Sequence, residues 1–150
     1  MQNKTVIVSL SDEKYFQLLL ELIDSINNFD QSKEVDICIL DAGMNDRQIN
    51  TLKQKVKQIK KAEWDIDVPG YKVRNKEWLK SQVSRAFLPN YFPDYENYIW
   101  IDSDAWVNDW HAIDLLTKGC KMKELAITQT IAPGYRDVGK VNWIFGNIAA

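Results

Sequence analysis

The strongest constraint on the fold is an alternation of two hydrophobic periods. Thr5 to Leu10, TVIVSL, is a short unbroken apolar run between polar residues, as in a strand covered on both faces. After SDEK, the residues Tyr15, Leu18, Leu19, Leu22, Ile23 and Ile26 recur at helical spacing. The pair then repeats. VDICIL, Val35 to Leu40, predicts a second strand and DAG a turn. Asn45 to Ile59 predicts a helix with Ile49, Leu52, Val56 and Ile59 on one face and Asn45 as its N-cap.

Further along, AEWDIDVP (Ala62 to Pro69) predicts a third strand. Its Trp64, Ile66 and Val68 alternate with charge, as suits a strand near a sheet edge, and Pro69 and Gly70 end it. Glu77 to Leu88 predicts a third helix with Leu79, Val83, Ala86 and Phe87 as its apolar stripe and Pro89 as its stop. NYIWI (Asn97 to Ile101) is a fourth strand, Trp110 to Thr117 a short helical turn, and ELAITQT (Glu124 to Thr130) a fifth strand. Alternating β and α segments build an α/β three-layer sandwich, a mainly parallel sheet with helices on both faces. Ligands of such sheets bind beyond the carboxyl ends of the strands, near the point where strand order reverses.

A length of 150 residues suits a single domain with one core. The net charge of −2, with Lys and Arg dispersed, offers no footprint for nucleic acid or an anionic membrane. The lysine-rich stretch from Lys53 to Lys61 reads as a solvated helix face. Cys38 and Cys120 have neither zinc-site spacing nor the density of a disulfide scaffold, which leaves two reduced, structural thiols. No apolar run approaches the roughly 18 to 20 residues of a transmembrane helix, so the expected location is cytoplasmic.

Two chemically loaded segments follow strands: SLSDEKY after the first and DSD after the fourth. On an extended chain, residues two apart face one way, so Asp102 and Asp104 would present their carboxylates together. Two such carboxylates resist joint ionisation unless a cation offsets their repulsion. A hard divalent ion, Mn²⁺ or Mg²⁺, fits an all-oxygen donor pair and leaves positions for phosphate oxygens. The bland reading is that both aspartates merely terminate the strand.

YIWIDSDAWV resembles the D-x-D strand of glycosyltransferases of the GT-A fold, particularly the retaining family 8 type that includes glycogenin and bacterial galactosyltransferases. Asp102, Ser103 and Asp104 match the motif, Trp106 and Val107 its apolar continuation, and Asp109 an acidic turn. VSLSDEKY is similar to the family's first strand and loop, which hold the uridine of a nucleotide sugar. The resemblance implies that Ser9, Ser11 and Asp12 contact base or ribose and that Tyr15 packs on the base. SQVSRAFLP is similar to the segment before the D-x-D strand, and puts Arg85 where a basic residue reaches the donor; Arg74 or Lys76 could assist.

The implied protein is a metal-dependent, retaining glycosyltransferase with a GT-A, Rossmann-like fold, a UDP-sugar donor and an unknown sugar, lipid or protein acceptor. The family's later metal-binding histidine has no counterpart, since the sole histidine, His111, follows the D-x-D too closely and reads as a surface residue. The expectation is therefore a single donor-binding domain over residues 1–150 with the acceptor part lying elsewhere. Two other readings stay open: a haloacid dehalogenase-type phosphatase, which also sets D-x-D after a strand, and a nucleotide-binding domain without turnover.

Overall fold

The computed structural model describes residues 4–127. Four strands, β1 (Thr5–Ser11), β2 (Asp36–Asp41), β3 (Gln58–Lys61) and β4 (Asn97–Trp100), form one sheet in the order β3-β2-β1-β4. All three pairings are parallel, with Val8 opposite both Cys38 and Trp100. The chain therefore steps outward from β1 to β3, then returns to lay β4 on the other side of β1. Strand order reverses between β1 and β4, and the carboxyl ends of these two strands flank the crevice.

Helices α1 (Phe16–Asn27), α2 (Asp46–Leu52), α3 (Gly70–Val73), α4 (Lys80–Ser84), α5 (Leu88–Tyr91) and α6 (Trp110–Lys123), with three short 3₁₀ turns, complete the described elements. On one face of the sheet, Ile7, Ile39 and Ile99 pack with Leu19, Leu22, Ile23 and Ile26 of α1, Leu52 of α2, and Trp110 and Ile113 of α6. On the other, Val6, Val8, Leu10, Cys38 and Leu40 pack with Leu88, Tyr91, Phe92 and Tyr95. This is the expected three-layer arrangement, because each central strand has apolar residues on both faces.

Several expectations need correction. The helix foreseen over residues 45–59 ends at Leu52, where the N–H groups of Lys55 and Val56 turn back onto the Leu52 carbonyl. Gln58–Lys61 then pairs with Cys38–Asp41, so the third strand precedes the Ala62 to Pro69 segment, which has no regular structure. The lysine-rich stretch is thus partly edge strand rather than helix face. Val56 and Ile59, three residues apart, satisfy a helical period and conceal the strand.

The helix foreseen over residues 77–88 is broken into a 3₁₀ turn (Glu77–Leu79), α4, a second 3₁₀ turn (Arg85–Phe87) and α5. Pro89 does not stop it but occupies the first turn of α5, where a missing N–H costs nothing. Its buried stripe is Lys80, Ser84 and Leu88, not Leu79, Val83, Ala86 and Phe87. Lys80 tolerates burial because its ammonium donates to the Ala62 carbonyl at 2.9 Å, pairs with Glu77 at 2.8 Å and lies 5.8 Å from the centre of the Trp64 ring.

Finally, α6 runs past Thr117 to Lys123, closed by Glu124 in a left-handed conformation (φ 66°). Glu124 to Ile127 is not a strand, and Thr128 to Thr130 lie outside the described residues. Among the described residues, no helix is long and apolar enough to cross a membrane.

Both thiols are free. Cys38 is fully buried, 3.9 Å from the Tyr95 hydroxyl, which donates to Asp36 at 2.8 Å. Burial pushes the Cys38 thiol up from 9.0 to about 11 and raises Tyr95 as well. In the unfolded chain the Cys38 thiol ionises earlier, so its contribution to stability is present below pH 9.0 and lost as pH climbs towards about 11. Urea midpoints measured across that window should fall. A flat profile would show that the buried thiol ionises as freely in the fold as outside it.

Candidate functional site

The loop leaving β1 is shaped by Asp12. Its Oδ1 accepts the N–H groups of Lys14 at 2.9 Å and Tyr15 at 3.0 Å, a side-chain-closed turn that leads the chain into α1. Ser11, buried at the strand end, donates its hydroxyl to the Asp12 carbonyl at 2.9 Å. From the side, α2 braces the loop: Gln48 Nε2 donates to the Glu13 carbonyl and Asn45 Nδ2 to its carboxylate, at 3.1 and 3.2 Å. Asn45 and Gln48 also form the reciprocal capping box of α2, confirming the N-cap. Tyr15 is left 44% exposed at the mouth of the loop.

The aspartate pair is delivered differently from the simple strand geometry. β4 ends at Trp100, and the Ala105 N–H bonds the Asp102 carbonyl at 3.0 Å, so Asp102 and Asp104 stand at the first and third positions of a tight turn. Asp102 Oδ1 accepts two bonds, from Arg85 Nη2 at 2.6 Å and Trp100 Nε1 at 2.8 Å. Arg85 is fixed in turn by its Nε, 3.0 Å from the Ser81 carbonyl, and by the Trp100 ring, 5.1 Å from its guanidinium carbon to the ring centre. Arg85, Trp100 and Asp102 thus form one closed unit. Being partly exposed, it organises the site more than it stabilises the fold.

A cleft of about 530 Å³ opens at the β1/β4 crevice. It brings together Ser11, Asp12, Tyr15, Arg85, Asp102, Ser103 and Asp104, the expected site residues but one. Ser9 is the exception: it lies deeper in β1, is 2% exposed and does not line the cleft. Neither Arg74 nor Lys76 lines it; the second basic residue at the cleft is Lys14. Sequence reasoning also missed Trp78, Ser81 and Gln82. A signal existed, since they precede Arg85 by seven, four and three residues and so share its helical face. His111 is exposed on the first turn of α6, behind its N-cap Asp109, as a surface residue should be.

Could this turn hold a cation? Asp104 has no hydrogen-bond partner among the described residues, and Asp102 has its second oxygen uncommitted. Among the described residues, no group of three or more His, Cys, Asp and Glu side chains could hold a metal ion. The donor set is therefore two carboxylates at most. That fits a cation of the Mg²⁺ type, which is commonly bound by one or two carboxylates with substrate phosphates completing its shell.

An open parallel sheet with a polar cleft at its switch point defines an α/β protein of the doubly-wound type, with its crevice where ligands of such folds bind. The same fold is seen in the crystal structure of an active-site mutant of LgtC, which superposes with a TM-score of 0.54 at 18% identity, covering 72% of this chain and 41% of that one. No curated protein matches the chain. The sequence pattern of glycosyl transferase family 8 matches residues 6–117, and the chain belongs to that family. The match spans every element from β1 into α6. It sets aside the phosphatase reading.

Proposed function

We propose that this chain is the donor-binding domain of a metal-dependent glycosyltransferase, which binds a nucleoside diphosphate sugar, UDP-linked, and transfers the sugar to an acceptor held largely by other segments. The observation that carries this is the convergence of three separate chain segments on one cleft: the Asp12 to Tyr15 loop, Arg85, and the Asp102 to Asp104 turn. Residues 1–150 act as a single unit in this reading, and retention at the anomeric carbon follows from the family.

Asp102 and Asp104 would hold Mn²⁺ or Mg²⁺, with Ser103 between them beside the donor. The ion supplies charge neutralisation for a diphosphate leaving group. Arg85 adds positive charge at the same site, already oriented by Ser81 and Trp100, so less side-chain ordering is left to be done on binding. Asp12 shapes the nucleoside end, with Ser11 at the strand tip and Tyr15 offering a ring face for the base.

Calorimetry with UDP, with and without Mn²⁺, tests the reading. Binding that strengthens at least about 10-fold with the ion is expected, because both diphosphate and carboxylates are anionic without it. Equal affinity in both conditions would sink the metal-dependent donor site. Release of UDP from a UDP-sugar separates an enzyme from a nucleotide-binding domain without turnover.

A further inference from the structure

Trp78 is the cleft residue with the least evident structural purpose. It is 51% exposed, in the 3₁₀ turn before α4, and among the described residues neither its ring nor its indole N–H has a partner. Three other tryptophans are engaged, Trp100 with Arg85 and Asp102, Trp110 against Phe29 in the core, and Trp64 under Lys80, while Trp106, 64% exposed, does not line the cleft. Like Tyr15 and unlike Trp106, Trp78 lies on a wall of the cleft, where a ligand would bury its exposed face.

The position of Trp78 along the cleft follows from what it shares. A second cavity of about 390 Å³ adjoins the first, and the residues lining both are Asp12, Lys14 and Trp78. Trp78 therefore borders the β1 loop that ends in Tyr15. Arg85, two helical turns further along the same face, marks the opposite, Asp102 end. Two exposed aromatic rings, Tyr15 and Trp78, thus line the cleft from different elements.

We propose that Trp78 is a nucleobase-binding residue, supplying a second aromatic surface beside Tyr15 so that the base is held from two elements. This rests on the donor-site reading above and assigns a further contact within it. Base stacking on an aromatic face is tolerant of base identity, so Trp78 contributes affinity for the nucleoside rather than choice of sugar.

The test compares Trp78→Ala and Trp78→Phe with the unsubstituted protein, titrating UDP and inorganic pyrophosphate in the presence of Mn²⁺. Trp78→Ala should weaken UDP by about 5- to 100-fold, as losing a stacking surface does. Trp78→Phe should keep most of the UDP affinity, and pyrophosphate should bind all three proteins alike. Equal UDP affinity in Trp78→Ala and the unsubstituted protein would overturn the inference while leaving the donor site standing. Parallel loss of UDP and pyrophosphate in Trp78→Ala would also overturn it, by showing a structural role. Failure of the unsubstituted protein to bind UDP would remove the donor-site reading itself, and Trp78's role with it.

Discussion

Asp104→Ala should abolish the Mn²⁺-dependent part of UDP binding, weakening affinity by at least about 10- to 100-fold. Losses of that size are typical when a group merely supporting a metal ligand is removed, so a ligand should cost no less. The substitution is clean. Asp104 is exposed and has no hydrogen-bond partner among the described residues, so its removal leaves no buried donor unpaired and the urea midpoint should stay put. Asp102 is a poorer probe, because alanine there releases Arg85 and strands the Trp100 indole N–H at once. Asp102→Asn keeps an acceptor for both donors while removing the charge, and should show nearly the Asp104→Ala phenotype. UDP affinity that is unchanged in Asp104→Ala, with Mn²⁺ still required, would place the metal elsewhere.

The contrast between these two aspartates was not legible in the sequence. D-x-D specifies two carboxylates two residues apart, and a pleat would align them as equals. In the structure a turn separates them into unlike roles, Asp102 tied to Arg85 and Trp100 and Asp104 free to face a ligand. Long-range pairing of that kind depends on where the 77–87 segment lies across the sheet, which no local pattern records.

What could be read locally was read correctly for a physical reason. β1 and β2 are buried on both faces or nearly so and β4 is half-buried around Ile99, and burial writes itself as apolar runs. α1 likewise shows its buried face at helical spacing. β3 escaped because edge strands carry lysines and short apolar content. The 77–87 segment misled for a related reason: its buried face carries two polar residues, Ser84 and Lys80, the latter bonded to the Ala62 carbonyl outside the segment, while its cleft face carries Trp78 and Gln82. A hydrophobicity pattern assigns such a segment the wrong way round. Ser9 shows the limit of motif transfer, since period two puts it in line with Ser11 but one step too deep to reach the cleft.

Phe92→Ala is expected to give the largest loss of stability, about 3 to 5 kcal/mol, read as a fall in the urea midpoint. Phe92 is fully buried in the core layer that contains Val8, Leu40 and Leu88, and Trp100 packs against that same layer. Its backbone is held as well as its ring: the N–H bonds the Leu88 carbonyl at 2.9 Å and the carbonyl accepts the Tyr98 hydroxyl at 2.7 Å. Those bonds fix the backbone on either side of the void, so the cavity cannot close by simple collapse and the cost should lie toward the upper end. Against a typical total of about 5 to 15 kcal/mol, such a loss removes much of the margin. Trp100 carries the indole that orients Asp102, so a loosened layer should also weaken Mn²⁺-dependent UDP binding at temperatures where the variant is still folded. Phe92→Leu, which refills most of the space, should recover the larger part of both effects. An unfolding free energy for Phe92→Ala within about 1 kcal/mol of that of the unsubstituted protein would mean that this layer is not the support of the aspartate turn.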